Sequence, residues 1–132
     1  MGAAMAMAAC DTLTRHFEDT GRGPDYYDAV LTGDLGRVGS EILAELMAMR
    51  GIGLGAKHMD CGSLIYDAER QGVCSGGSGC GCSASVFAGY ALGNMRSGIW
   101  KRVLFAATGA LMSPTTSLQG ESIPGICHAV AF

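Results

Sequence analysis

YDAVLTGDLGRVGSEILAELMAMR, residues 27–50, decides the fold class, because two periodicities meet inside it. Tyr27 to Leu31 is a short, mostly apolar strand, and Thr32-Gly33-Asp34 is turn chemistry that ends it. From Leu35 to Arg50 the apolar residues Leu35, Val38, Ile42, Leu46 and Met49 recur at 3-4-4-3 spacing. Arg37, Glu41, Glu45 and Arg50 take the opposite face, which is the pattern of an amphipathic helix.

Working upstream, GRGPD at 21–25 is a turn, and residues 3–19 form a helix with Met5, Ala9, Leu13 and Phe17 in a narrow apolar stripe. Asp11, Arg15 and Glu18 turn away from it, and Gly21 closes the run. Downstream, GIGLG at 51–55 stops the second helix and SLIY at 63–66 reads as a second strand. GGSGCGCSAS at 76–85 then leads into a helix. Ser83 and Ser85 cap it, and Val86, Phe87, Tyr90, Ala91 and Met95 carry it to about Gly98. VLFAAT at 103–108 is a buried strand, 109–125 a loop or wide hairpin, and ICHAVAF at 126–132 a last strand. Helix, strand, helix, strand, helix, strand, strand is an α/β order: parallel units closed by an antiparallel pair. No internal repeat or interdomain linker interrupts it.

The 132 residues are one ordinary domain in size, and 48% hydrophobic against 16% charged residues is the balance of a packed core. Net charge is −3 and the nine Lys and Arg are scattered, with only Lys101-Arg102 adjacent. No basic stripe exists to track a phosphate backbone, so nucleic acid is not an expected partner. MGAAMAMAAC is apolar but short, without a basic leader, and runs into Asp11, Arg15 and Glu18; it reads as neither signal peptide nor membrane span. The six cysteines, Cys10, Cys61, Cys74, Cys80, Cys82 and Cys127, are expected to be reduced in a cytoplasmic setting.

The glycine-rich segment allows several chemistries. Gly76 and Gly81 stand at P-loop spacing, but Cys82 holds the lysine position, which removes the counter-charge to the β- and γ-phosphates. Gly79-x-Gly81-x-x-Ala84 imitates a dinucleotide fingerprint without its strand. Cys74, Cys80 and Cys82 contain no C-x-x-C pair, so no metal is expected, nor any other cofactor. Cys80 and Cys82 do sit at a helix start, where dipole and free amides would lower a thiol pKa and attract an anion. The competing reading is a glycine turn that only lets the backbone pass a neighbouring strand. A nucleophilic thiol would need a base, and the histidines are His16, expected to be solvated, His58, in a loop, and His128, expected in a buried strand as a satisfied core residue.

The segments MGAAMAMAACDTL, YYDAVLTGDLG, DCGSLIYD, GGSGCGCSASV and RVLFAATGALMSPTTSLQGESIPGICHAVAF together resemble the C-terminal portion of the stage V sporulation protein AD family, thiolase-fold proteins of spore-forming bacteria. The likeness runs over essentially the whole chain, and MSPTT-x-x-QGESIPGI-x-HAV with GGSGCGCSA carries most of it. It implies one half of a thiolase-like fold, a mixed sheet flanked by helices and ending in an antiparallel strand pair. In that fold a central strand precedes the helix that begins here near Gly2. Residues 1–132 are therefore expected to be a single partial domain, a fragment with its first strand missing and two unpaired strand edges in mid-sheet. Such a chain would be marginally stable alone, self-associate through those edges, or rearrange.

The resemblance also implies a function: binding of pyridine-2,6-dicarboxylate (dipicolinic acid) as it moves into the developing spore, with other proteins of the same transport system as partners. The expected location is the cytoplasm of forespore or mother cell, or the periphery of the inner spore membrane. Catalysis is not expected. Acyl-transferring relatives carry a histidine where this chain has Thr32-Gly33-Asp34-Leu35, and the asparagine of their G-N motif corresponds to the Gly79-Cys80-Gly81-Cys82 region. The thiolase G-H-P motif is absent, and the nucleophilic cysteine of the relatives belongs to the other half. The ligand-binding residues expected are Ser78, Gly79, Cys80, Cys82 and Ser83. The alternatives are an acyltransferase or thiolase-like enzyme fragment and a structural subunit of a transport complex.

Overall fold

The computed structural model describes residues 1–111 and 113–132. It is a mixed α/β arrangement, and its first helix, α1 (Gly2–Thr20), buries Met5, Ala9, Leu13 and Phe17 as the stripe requires, together with Ala6, Cys10 and Thr14. Gly21 ends it at φ 64°, a left-handed conformation that costs glycine nothing. The strand β1 (Ala29–Thr32) follows, one residue longer at its end and two shorter at its start than the sequence suggests, and it is buried throughout.

The helix α2 (Gly36–Met49) lies where expected but is rotated. Its buried residues are Gly36, Gly39, Leu43 and Met47, while Val38 and Met49, read from the spacing as core positions, are exposed. The reason is the crossing with α1. A Cβ on Gly39 would meet Gly2 Cα and Gly2 O at 3.0 Å, so the two helices touch backbone to backbone and the apolar stripe turns to follow.

The second strand is displaced from its expected place. β2 is His58–Asp60, and the residues read as a strand, 63–66, instead continue from the short helix α3 (Cys61–Leu64). Asp60 is the cause. Its carboxylate accepts from Ser63 N at 3.1 Å, an N-cap that turns the chain out of the extended state after three residues. A single turn, α4 (Ala68–Gln71), precedes the glycine-rich loop. Beyond it α5 (Cys82–Val86), a π-helical turn (Phe87–Ala91) and α6 (Leu92–Arg96) run on without a break. β3 (Val103–Ala110) and β4 (Gly125–Ala131) are the last two strands. Between them the segment expected to be all loop contains α7 (Pro114–Leu118), capped by the Ser113 hydroxyl, while Met112 lies outside the described residues.

The sheet order is β2-β1-β3-β4. β1 runs parallel to both β2 and β3, and β3 pairs antiparallel with β4 from Leu104↔Ala131 to Ala110↔Gly125. The expected break in mid-sheet is absent, because β1 bonds directly to β3 over Ala29↔Val103 to Thr32↔Ala106. The open edges are the outer ones. Alternation along β1 serves two cores. Val30 joins Met5, Leu13, Leu43, Met47 and Leu104 under α1 and α2, while Ala29 and Leu31 join Cys61, Val86, Ala91 and Val103 under α3, α5 and α6.

Candidate functional site

The turn after β1 is the centre of the site. Gly33 passes so close to Thr108 of β3 that a Cβ would overlap it, which sets Asp34 directly against that strand. Asp34 N donates to Thr108 Oγ1 at 2.9 Å and Thr108 Oγ1 donates to Asp34 Oδ1 at 3.1 Å. The other carboxylate oxygen, Oδ2, accepts from Ser78 Oγ at 2.7 Å and from Gly79 N at 3.1 Å. One buried carboxylate thus ties β1, β3 and the glycine-rich loop together.

A second carboxylate does the same one strand away. Asp60 Oδ1 accepts from Thr32 Oγ1 at 2.8 Å and Leu35 N at 2.9 Å. Its Oδ2 accepts from Gly36 N at 2.9 Å and Ser63 N at 3.1 Å. The starts of α2 and α3 are therefore held by the same residue. Thr32 has given its only hydroxyl hydrogen to Asp60, so at 3.0 Å its oxygen accepts from His58 Nε2, which fixes that nitrogen as the protonated one. Burial pulls the His58 pKa below its ordinary value, against the weaker opposing pull of Asp60.

These contacts lie at the carboxyl ends of parallel strands. The chain leaves β1 for β2 on one side and later returns as β3 on the other, so the gap between the ends of β1 and β3 is a topological switch point, where open α/β sheets bind ligands. The residues expected from the sequence gather there as one loop-to-helix segment. Ser78, Gly79 and Cys80 are exposed, Ser83 is half-buried and Cys82 is buried. Ser78 Oγ and Gly79 N are committed to Asp34, whereas the amides of Cys80, Gly81 and Ser83 have no acceptor among the described residues.

The thiol expectation is corrected. Burial pushes the Cys82 thiol up, with Asp34 and then Asp60 adding to it, so the helix start does not produce a thiolate at Cys82. Cys61 is pushed up to about 12 by burial first, then by Asp60, Cys82 and Asp34. All six cysteines are free thiols, with Cys74 and Cys80 exposed. The histidines also differ from expectation. His16 is half-buried and lies 2.6 Å from Tyr27 Oη, and burial lowers its pKa. His58 is in a strand rather than a loop, and His128, read as a core residue, is exposed on β4. No histidine hydrogen-bonds a cysteine among the described residues.

Sequence reading missed Asp34, Asp60, Thr32 and Thr108. The signal was available in TGD after a strand and in the threonine ending VLFAAT, both at strand carboxyl ends. Among the described residues no group of three or more His, Cys, Asp or Glu side chains is arranged to hold a metal ion, and no helix is long and apolar enough to cross a membrane.

The family model described as Stage V sporulation protein AD (SpoVAD) matches residues 1–132. The chain belongs to the stage V sporulation protein AD family. It is 50% identical over 132 residues to the Stage V sporulation protein AD of Bacillus subtilis (strain 168). That match takes in all of this chain and the C-terminal 39% of the relative, so the chain spans well under half the relative's length. Both descriptions name a sporulation protein and neither names a reaction. In this family member, then, the network of Asp34 and Asp60 organises the segment that matches the relative's C-terminal 39%.

Proposed function

We propose that this chain contributes a non-catalytic, small-molecule-binding domain to the handling of dipicolinic acid during its uptake into the developing spore. The reading starts from family membership and from the resemblance to a thiolase-like half-fold. The observation that carries it is the glycine-rich loop at the switch point, fixed by Asp34, with the Cys80, Gly81 and Ser83 amides lacking an acceptor among the described residues. Unpaired amides at a helix start donate to a carboxylate, and dipicolinate has two. Ser78, Gly79, Cys80, Cys82 and Ser83 form the wall against which it would rest.

The same geometry supports the non-catalytic reading. Buried thiols with raised pKa values, as at Cys61 and Cys82, are poor nucleophiles, and among the described residues no histidine hydrogen-bonds either of them. The partners in this reading are the other proteins of the spore dipicolinate transport system. The location is the cytoplasm of forespore or mother cell, or the face of the inner spore membrane.

Calorimetric titration of dipicolinate into this chain and into the full-length Bacillus subtilis relative tests the proposal. Heat in both, or in the longer protein alone, is the expected result. No heat in either would overturn it.

A further inference from the structure

A second surface lies at the opposite end of the sheet from the glycine-rich loop, where the parallel strands β1, β2 and β3 begin. Cations that are scattered in the sequence collect there. Arg22 follows α1, Lys57 precedes β2, and Arg96, Lys101 and Arg102 flank the turn from α6 into β3. These are five of the nine Lys and Arg, and the acids among them are Asp25 and Asp28, while Glu18 and Asp19 line a cleft with Arg50 beside α1. A chain of net charge −3 thus has one positive end.

The two acids do not cancel it. Asp28 Oδ2 accepts from the backbone amides of Lys101 and Arg102, at 2.7 and 2.9 Å, and Asp25 meets Lys57 at 4.0 Å. The Arg22 and Arg102 guanidiniums lie over the Tyr26 ring, 4.9 and 4.5 Å from its centre. Neither they nor Arg96 and Lys101 belong to an ion pair among the described residues.

The same turn carries an apolar tip. Asn94 O accepts from Ile99 N at 3.0 Å and from Trp100 N at 3.2 Å, and Gly98 turns the chain at φ 76°. With the Asp28 bonds on the β3 side, the turn is held at both ends and presents Ile99, 67% exposed, between Arg96 and Lys101. Trp100 is half-buried, with the exposed Tyr90 ring edge-on to it at 5.4 Å. Isoleucine held in water by a fixed turn adds nothing to the core. Cations, Trp and Tyr around it are the composition of a face that sits at a bilayer interface. An anionic bilayer supplies both complements, negative headgroups for the cations and hydrocarbon for Ile99, whereas an acidic peptide supplies only the first.

We propose that this end of the chain docks on an anionic lipid surface, with Ile99 and the edge of Trp100 entering the boundary between headgroups and acyl chains and Arg22, Arg96, Lys101 and Arg102 meeting the headgroups. The glycine-rich loop is at the far end of the strands, so the inference stands or falls separately from the dipicolinate reading. It names the contact that would hold the chain at a membrane face with that loop turned away from the lipid.

Trp100 is the single tryptophan of the chain, so its emission reports the contact directly. The whole chain is mixed with vesicles of phosphatidylcholine alone and with vesicles in which about one lipid in three is phosphatidylglycerol. Co-sedimentation and a blue shift of Trp100 with the anionic vesicles, absent with the neutral ones and weakened by salt, are expected. Ile99→Ser should lower the partition constant about 10-fold, and Lys101→Gln with Arg102→Gln about 30-fold, the scales of one buried isoleucine and of two cations at a charged surface. Thermal transitions should be unchanged. Arg96→Gln, which removes an exposed cation that stacks on no ring, gives an independent loss of about 5-fold. No binding to anionic vesicles, equal binding to neutral ones, or undiminished binding in Ile99→Ser or in the double variant overturns the inference. So does binding of a soluble poly-glutamate peptide by a chain that ignores the vesicles, which makes this end a docking surface for an acidic protein segment.

Discussion

Ser78 donates its hydroxyl hydrogen to Asp34 Oδ2 at 2.7 Å across 44 positions of sequence, and the glycine-rich loop takes its position from that bond. The backbone amide of Gly79 adds a second bond to the same oxygen at 3.1 Å. Asp34→Ala would remove both, together with the contact to Thr108, and leave donors without partners near the sheet. A loss of about 2–4 kcal/mol in unfolding free energy is expected, since hydrogen bonds to a charged group are worth about 1.5–3 kcal/mol each and are not additive. Urea denaturation measures it, and hydrogen exchange should show residues 76–82 opening first. Unchanged protection of that segment would contradict the anchoring role.

Acid sensitivity follows from His58 and His16. Burial lowers both pKa values in the folded state below 6.5, so the unfolded chain binds the protons that the folded chain refuses. The contribution of these two histidines to stability is therefore full above pH 6.5 and is lost as pH drops through the folded-state values. In His58→Gln the slope of unfolding free energy against pH below 6.5 should be shallower than in the parent, because one of the two groups is gone. Equal slopes would mean that His58 titrates freely.

The thiols divide by burial. Iodoacetamide in mildly alkaline buffer is expected to label Cys74 and Cys80 quickly and to leave Cys10, Cys61, Cys82 and Cys127 until the chain unfolds, as read by mass spectrometry. Cys61, pushed to about 12, and Cys127, pushed to about 11, stay neutral in the fold while the unfolded thiols ionise near 9.0. The contribution of these two thiols to stability is thus complete below pH 9.0 and is lost as pH rises through the folded values. Native labelling of Cys82 at the rate of Cys80 would refute its burial.

Helix packing carries a prediction at Gly39. A side chain there meets Gly2 Cα and O at 3.0 Å and has no flexible neighbour to displace. Gly39→Val should cost about 1–3 kcal/mol as overpacking, although valine forms helix slightly more readily than glycine. A thermal transition at or above that of the parent would show that α1 and α2 can separate without penalty.

Periodicity located α1, α2 and the helical run from Cys82 because each buries one face for several turns. It misassigned the buried face of α2, since a glycine contact has no hydrophobic signal and the Gly2–Gly39 crossing turns the helix. β2 was misplaced because three residues carry no readable alternation, and the Asp60 cap that ends the strand acts through a side chain. The loop residues of the site were legible in their composition. Asp34 and Thr108 were not, because their pairing spans 74 positions and depends on a sheet register that no local window contains.

The outer edge of β4 leads to the last prediction. Among the described residues β4 pairs in the sheet with β3 alone, its Cys127 carbonyl also accepts from Thr12 Oγ1 at 3.0 Å, and Ile126 and Val130 on it and Phe132 just after it are 54%, 52% and 48% exposed. A seven-residue edge with an apolar face carries neither the proline nor the lysine that commonly keeps edges apart. Because β1 closes on β3, this edge and that of the short β2, rather than the mid-sheet edges expected from sequence, are where self-association is predicted. Sedimentation equilibrium from micromolar to millimolar chain should give a mass that rises above 13.6 kDa with concentration. Val130→Lys, which puts a charge among the apolar residues, should return it to the monomer, and a parent chain that stays monomeric throughout would show that the edge does not pair.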